Sequence, residues 1–333
     1  MAAPSGLPFL RPVFKRFRLY LANMKIKSIV FFVLSLAVSL PFTSFSQNWD
    51  DEDDFYVSTR EGIEFGLNLG VYRAHPNSSS FYVGDGYYDL GDNQANLYSI
   101  EERLFLGTTE DQINNTLNLG GGNFWLPYDS SPLLMPYDPG LMLGLKMLYF
   151  WTPESALVMS IDAVNLKAAG PWTLETDLLP GQGQGSNDIK VYGIFGQERR
   201  MIGTLGYRTS AYIIDQAAWI FELGATATSV QIKRNYINIE TNTYDLITFY
   251  NGGGQFSGAG SNLTSTGLGY YGVIGLEAMF EEGGNLEANL RVSRDNIILG
   301  SSEGGYNEKL WNIALYVTWL IPPHIGDFVR ASF

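Results

Sequence analysis

The stretch KLWNIALYVTWLI, Lys309 to Ile321, sets large apolar side chains at every second position (Trp311, Ile313, Leu315, Val317, Trp319, Ile321). Between them stand Asn312, Ala314, Tyr316, Thr318 and Leu320. Successive side chains of a β-strand point to opposite faces, so a period of two predicts a strand with one solidly apolar face and one mixed face. The pattern recurs along the chain. One face collects Ile63, Phe65, Leu67, Leu69 and Val71, and another collects Leu141, Leu143, Leu145, Met147, Tyr149 and Trp151. Further runs carry Leu157, Met159, Ile161 and Ala163, then, in a stretch that is strand-like almost throughout from Ile189 to Ile214, Leu205, Tyr207, Ala211 and Ile213, then Trp219, Phe221, Leu223, Ala225 and Ala227. Two more carry Leu268, Tyr270, Ile274, Leu276 and Phe280, and Leu286, Ala288, Leu290 and Val292. With the opening stretch these make eight predicted strands, and a turn hidden in GQERR, 196–200, would raise the count to ten.

An apolar face on every strand needs an apolar medium, and the interleaved residues show what lies on the other side. They include Glu64, Lys146, Asp162, Arg208, Glu222, Glu277, Glu287 and Arg291. A soluble sandwich places its apolar faces in a core and such charges in water. The connections argue for a different arrangement. TPES (Thr152 to Ser155), DQAA (Asp215 to Ala218) and EEGGN (Glu281 to Asn285) are tight turns. Between them come long connections, about Ala74 to Gly140, Ala169 to Asp188, Arg234 to Gly267 and Gly300 to Glu308. Short turns at one end and long loops at the other are the wiring of an up-and-down membrane barrel. The expected fold is therefore all-β: an antiparallel transmembrane β-barrel of about eight strands, hydrocarbon outside and a charge network inside, with long extracellular loops and short periplasmic turns.

The N-terminal region supports export. Residues 24–47 place Lys25 and Lys27 before an apolar run from Ile29 to about Leu40 and small residues at Ser44 and Ser46, which is a secretory signal peptide with cleavage expected before Gln47. The run is short for a permanent anchor of about 20 residues. The expected organisation is an N-terminal extension and signal at 1–46, an acidic periplasmic tether at 47–60, a barrel at 61–321 and a periplasmic tail at 322–333. Residues 1–46 hold six bases and no acid, so the formal charge passes from 21 − 34 = −13 to 15 − 34 = −19 on processing. Nucleic acid is excluded as a partner, since phosphate backbones require clustered Lys and Arg. With no cysteine there is no disulfide, thiolate metal site or thiol nucleophile.

On strand count, signal peptide and loop alternation, residues 61–321 resemble the small eight-stranded outer-membrane barrels, the kind of the OmpA transmembrane domain, OmpX, OmpW and PagP. The resemblance implies a location in the bacterial outer membrane, contact with its lipid and lipopolysaccharide, and a narrow bore filled by ion-paired side chains. Trp151, Trp219, Trp311 and Trp319 are expected at the membrane interfaces. Trp311 and Trp319 share a face eight residues apart, roughly 20 Å along the membrane normal for a tilted strand. Such barrels commonly end on an aromatic residue of the last strand, whereas here Pro322 and Pro323 separate Phe333 from the periodic run.

Chemistry is sparse. No metal or cofactor is expected: GGNFW and NGGGQ do not lead from strand to helix, and Asp85, Asp89 and Asp92 lack calcium-loop spacing. NLYSIEERLFL reads as a short helix packing within the first loop through Leu97, Ile100 and Leu104. His75 is the one weak catalytic candidate, because barrel enzymes acting on lipid A use a histidine, a hydroxyl and a carboxylate near the outer rim. Ser78 to Ser80, or Asp129 with Ser130, would have to supply the partners. The leading expectation is a non-enzymatic barrel whose first and third loops bind a protein, glycan or envelope-complex partner through Tyr87, Tyr88, Phe124, Trp125, Tyr128, Phe249 and Tyr250. A small-solute channel and a lipid A-modifying enzyme are the alternatives, as is a lid in which these rings pack on one another.

Overall fold

The computed structural model describes residues 60–86, 95–119, 123–132, 135–177, 188–214, 216–249, 264–280, 284–299 and 306–321. The expected signal peptide, the acidic run and the C-terminal tail lie outside them. The strands, in chain order, are β1 (Gly62–Arg73), β2 (Ala95–Leu97), β3 (Phe124–Trp125), β4 (Gly140–Thr152), β5 (Ser155–Thr176), β6 (Asp188–Ile214), β7 (Ala217–Ile239), β8 (Asn242–Asp245), β9 (Ile247–Phe249), β10 (Thr264–Phe280), β11 (Gly284–Leu299) and β12 (Tyr306–Leu320). Two short helices, α1 (Ile100–Leu104) and α2 (Thr109–Thr116), follow a 3-10 turn at Pro76–Tyr82.

Eight of these strands close into a ring. The order β1, β4, β5, β6, β7, β10, β11, β12 is antiparallel throughout, and β12 returns to β1 with Leu67 opposite Trp319 and Arg73 opposite Ile313. Closure removes both sheet edges, so every stave has two hydrogen-bonded neighbours. GQERR contains no turn. β6 runs unbroken through it, and the local irregularity is a bulge: Gln197 faces Arg234 while Glu198 faces Ile232, leaving Lys233 as the extra residue of β7.

β5, β6 and β7 have 22, 27 and 23 residues, far more than the roughly 10 needed to cross a bilayer. The second connection, expected to span Ala169 to Asp188, is correspondingly short, because β5 and β6 stay paired up to Thr176 and Asp188. Their outward residues change character on the way. Leu157, Met159 and Ile161 on β5 are exposed and apolar, whereas Asn165 and Lys167 beyond them are exposed and polar. Arg199 stands likewise above Met201 on β6.

The interior is layered. Near the tight-turn end, Leu148, Phe150, Ala156, Val158 and Leu320 form an apolar floor. Charged and amide side chains occupy the middle. Toward the loops a larger apolar cluster takes over, including Tyr72, Met142, Ile202 and Tyr316 from the staves and Tyr82, Ile100, Leu104 and Met135 from the first loop. Glycine makes this insertion possible at Gly196, where a Cβ would overlap the Tyr82 ring. The first and third loops are joined by the β2–β9 ladder and by Tyr98 N–H donating to Leu246 O at 2.8 Å. The α1 helix is held by a capping box: Ser99 Oγ accepts from Glu102 N–H and Glu102 Oε2 accepts from Ser99 N–H. Leu97, Ile100 and Leu104 are all buried, so this segment packs inward.

Candidate functional site

Alternation along the staves turns Glu64, Lys146, Asp162, Arg208, Glu222, Glu277, Glu287 and Arg291 into the bore, where the ring brings all eight into one neighbourhood. Lys146 Nζ donates to Glu222 at 2.6 Å and to Glu287 at 2.9 Å. Arg208 bridges Glu277, at 2.7 Å, and Glu287. Arg291 donates to Asp162 at 2.6 Å, and the other Asp162 oxygen accepts from Asn68 at 2.9 Å. Thr318 donates to Asn68 at 2.8 Å, and Asn289 donates to Thr318 and Glu287, both at 3.1 Å, which ties the Asp162 branch to the Lys146 branch. Most of these charges are fully buried, so each carboxylate depends on its partners for solvation.

Besides Asp295, which accepts from Thr226, Ser293 and Asn312, three charged members of the interior lie outside the set expected from sequence. Arg60, assigned there to the tether, is buried beneath the barrel. It pairs with Glu64 at 2.6 Å and Glu277 at 2.7 Å, and its guanidinium lies over the Phe150 ring at 4.2 Å. It precedes the first periodic residue, so no alternation marked it. Glu198 and Arg200 are the other two. Arg200 Nε donates to Glu198 at 2.6 Å, and the second Glu198 oxygen accepts from Tyr82 OH at 2.8 Å and Tyr137 OH at 2.9 Å. Burial first, and then the Glu198 charge, push both phenols well above the ordinary tyrosine range, so they remain donors. The period of two through Gly196, Glu198, Arg200 and Ile202 was the available signal for this pair.

His75 caps the 3-10 turn: Nδ1 accepts from Asn77 N–H at 3.2 Å, and the His75 backbone N–H donates to Asn312 Oδ1 at 3.0 Å. Ser78 and Ser79 are buried, with their hydroxyls on the backbone carbonyls of His75 and of Pro76 and Met135. Ser130 is placed through its carbonyl, which accepts from Thr173 N–H. Among the described residues no hydroxyl or carboxylate is bonded to the His75 ring, and no group of three His, Asp or Glu is arranged for a metal.

The loop rings divide. Phe124 is buried and stacked on Phe105, with centroids 5.4 Å apart; as β3 it pairs with Thr176, so it is a packing residue and not a surface ring. Trp125 is half-buried and donates through Nε1 to Glu175 at 2.8 Å. Tyr128 is wholly exposed. Phe249 belongs to β9, opposite Ala95. Tyr87, Tyr88 and Tyr250 lie outside the described residues. Phe105 and Leu106, which the sequence pattern did not single out, are 45% and 43% exposed at the end of α1.

Trp151, Trp219 and Trp319 all face outward near the tight-turn end, and Trp311 faces outward toward the loop end. Trp151 stacks on Tyr207 at 5.8 Å, and Trp311 meets Tyr270 edge-on at 6.0 Å. No described helix is long and apolar enough to cross a membrane; the crossing elements are strands. A closed antiparallel ring that exposes leucine, isoleucine and tryptophan and buries paired charges is inside-out for water and matched to lipid. The molecule is thus a β-barrel of the bacterial outer-membrane class, with the architecture of its small eight-stranded members.

Solved structures of that class are similar to it. They include OprG of Pseudomonas aeruginosa (13% identity, 79% of this chain and 97% of that one, TM-score 0.32). Ail of Yersinia pestis, in complex with the heparin analogue sucrose octasulfate, has 11% identity over 78% of this chain and 99% of that one, TM-score 0.31. AlkL, solved in lipid bilayers, has 7% identity over 83% of this chain and 96% of that one, TM-score 0.30. At these scores the similarity is one of general outline, and the class rests on the closed ring, its exposed apolar exterior and its ion-paired interior. No protein-family model and no curated protein sequence matches the chain.

Proposed function

We propose that the chain is a non-enzymatic outer-membrane protein in which a sealed barrel carries a folded cap, and that the cap binds a protein or glycan. The Trp151, Trp219 and Trp319 side chains anchor one membrane interface and Trp311 the other. Residues 47–60 serve as the periplasmic approach to Arg60, after removal of a signal peptide at 1–46, and residues 322–333 form a tail on the same side.

The observation that carries the reading is the cap's construction. Its two loops are tied by a β-ladder, by Arg103 Nε donating to Asp245 O at 2.8 Å and by Asn242 Nδ2 donating to Thr116 Oγ1 at 2.9 Å. The tied cap nevertheless leaves Phe105, Leu106 and Tyr128 in solvent. Closing a barrel requires none of this, and exposed apolar and aromatic side chains on a rigid support are the usual content of a recognition surface. Burial of the paired charges favours a sealed bore over a channel, and the engagement of His75 Nδ1 by Asn77 gives catalysis no support.

The experiment is co-purification from native outer membrane with the wild-type chain and with Leu106→Ser/Tyr128→Ser. The expected result is a partner held by the first and lost by the second, with both barrels folded by heat-modified gel mobility. A folded double variant that keeps every partner of the wild type refutes the reading.

A further inference from the structure

Phe105 and Leu106 form the corner between the two cap helices. Phe105 N–H closes the last turn of α1 on Glu101 O at 3.2 Å, and Leu106 O accepts from the N–H of Thr109, the first residue of α2, at 3.2 Å. Gly107, at φ +61°, makes the bend, and a Cβ built there would meet nothing within 4 Å, so the corner projects into open space. The Phe124 ring braces it by lying nearly parallel to Phe105, 11° apart, and β3 fastens that ring to the loop end of β5. Two half-exposed apolar side chains thus stand together on a fixed support.

The charges around them are of one sign. Glu101 lies one turn before Phe105, and Glu110 and Asp111 open α2. Asp177 is tied to Asn123, next to Phe124: Asn123 N–H donates to Asp177 Oδ2 at 2.8 Å, and Asp177 N–H to Asn123 O at 2.9 Å. Glu101, Glu110 and Asp111 are exposed, and none of the four carboxylates forms a salt bridge among the described residues. The neighbouring bases are engaged elsewhere. Arg103 is turned to the third loop, donating to Asp245 O at 2.8 Å and to Thr109 Oγ1 at 3.0 Å with its guanidinium over the Tyr244 ring, and Lys190 pairs with Asp188 at 3.4 Å. Over 74–140 the sequence has nine acids and a single Lys or Arg, Arg103. Helix starts favour Glu101, Glu110 and Asp111 one by one; their grouping with Asp177 about an exposed apolar pair is the further fact.

Resting on the cap reading above, we propose that the partner is a protein presenting a basic segment with an apolar or aromatic anchor. The anchor seats on Phe105 and Leu106, and its Lys and Arg side chains lie among Glu101, Glu110, Asp111 and Asp177. The apolar pair governs retention, and the carboxylates at the rim govern encounter and choice of partner. Sulfated, phosphorylated or uronic-acid glycans carry the same charge as the rim and are repelled. A neutral sugar needs a bare aromatic face, whereas one face of Phe105 is taken by Phe124 and its neighbour is aliphatic. A second copy of this chain would set the same acids against themselves.

The test is selection from a random peptide display library against the full folded barrel in neutral detergent, with Leu106→Ser as the counter-target. Binding of heparin oligosaccharide, of maltoheptaose and of the barrel to itself is measured alongside. Enriched peptides are expected to carry net positive charge around an apolar or aromatic residue and to lose most of their binding on Leu106→Ser. Their association rate should fall about tenfold from low to high salt. Glu101→Gln/Glu110→Gln/Asp111→Asn should weaken them about tenfold and flatten that salt dependence. Asp138→Asn, at an exposed acid tied to Lys167 O far down β5 from the Thr176 end, should leave binding unchanged. Hydrogen exchange of α1 and α2 reports the fold of each cap. The same peptides with every Lys and Arg replaced by Glu should not bind the wild type, a comparison that needs no variant, and their binding overturns the proposal. Enriched peptides that are neutral or acidic, or a glycan whose retention Leu106→Ser abolishes, overturn the basic partner and leave a binding cap. Self-association lost on Leu106→Ser gives the corner to a second copy and also overturns it. If no probe of any kind is sensitive to Leu106, the cap reading and this proposal fall together.

Discussion

The Arg291–Asp162 pair shows what the bore demands of single residues. Asp162 is fully buried and accepts from Arg291 at 2.6 Å, Asn68 at 2.9 Å and Ser160 at 3.3 Å. Taking away the guanidinium leaves a carboxylate with only neutral donors, so Arg291→Met should destabilise the barrel by about 3 kcal/mol. Removing both charges lifts the penalty. The Arg291→Met/Asp162→Leu chain should recover most of the loss, read as thermal unfolding in detergent; a single variant as stable as wild type contradicts the burial argument. Shape constrains residues as tightly as charge does. Gly206 and Gly224 face each other across β6 and β7, and a side chain at either would run into Tyr271, so the narrow bore seats that ring only over bare backbone.

At the scale of elements, the tight turns and the capped loops must lie on opposite sides of the membrane, because eight staves return the last strand beside the first. The chain has no cysteine, which allows single-site labelling. Tyr128→Cys should react with an impermeant maleimide on intact cells, while Glu154→Cys in the β4–β5 turn should react only after the outer membrane is opened. The reverse pattern inverts the topology. Eight apolar-faced runs were legible in sequence because lipid demands apolar side chains at every second position. The ends of β6 were legible too, since the strand-like run from Ile189 to Ile214 matches Asp188–Ile214, but the loop-side ends of β5 and β7 were not. Past Asn165 the outward positions of β5, Lys167, Ala169, Pro171, Thr173 and Glu175, carry no large apolar side chain except the proline ring, yet the backbone ladder continues to the Thr176–Asp188 pair. Hydrogen bonding is blind to side-chain polarity, so a reading that stops with the apolar face stops before the strand does.

The whole molecule places two seals in series along one bore, the ion-paired middle and the apolar cluster under the cap. Planar bilayers containing the wild-type barrel should therefore carry no steady current. Replacing residues 87–119 by a short linker should leave the bore closed, since the Lys146, Arg208 and Arg291 pairs lie on staves that the change does not touch. A steady current from the trimmed barrel would assign the seal to the cap. The sequence alone determined the barrel, its eight staves and the inward turn of the eight network residues. Each of these follows from a local alternation imposed by the solvent on either side of a strand. Which carboxylate meets which base was decided by closure, which brings residues as distant as Arg60 and Glu277 to 2.7 Å. The cap was likewise a tertiary outcome. Phe124 and Tyr128 sit four residues apart among similar neighbours, and only the packing of α1 and β3 against the top of the barrel buries the first and leaves the second in water.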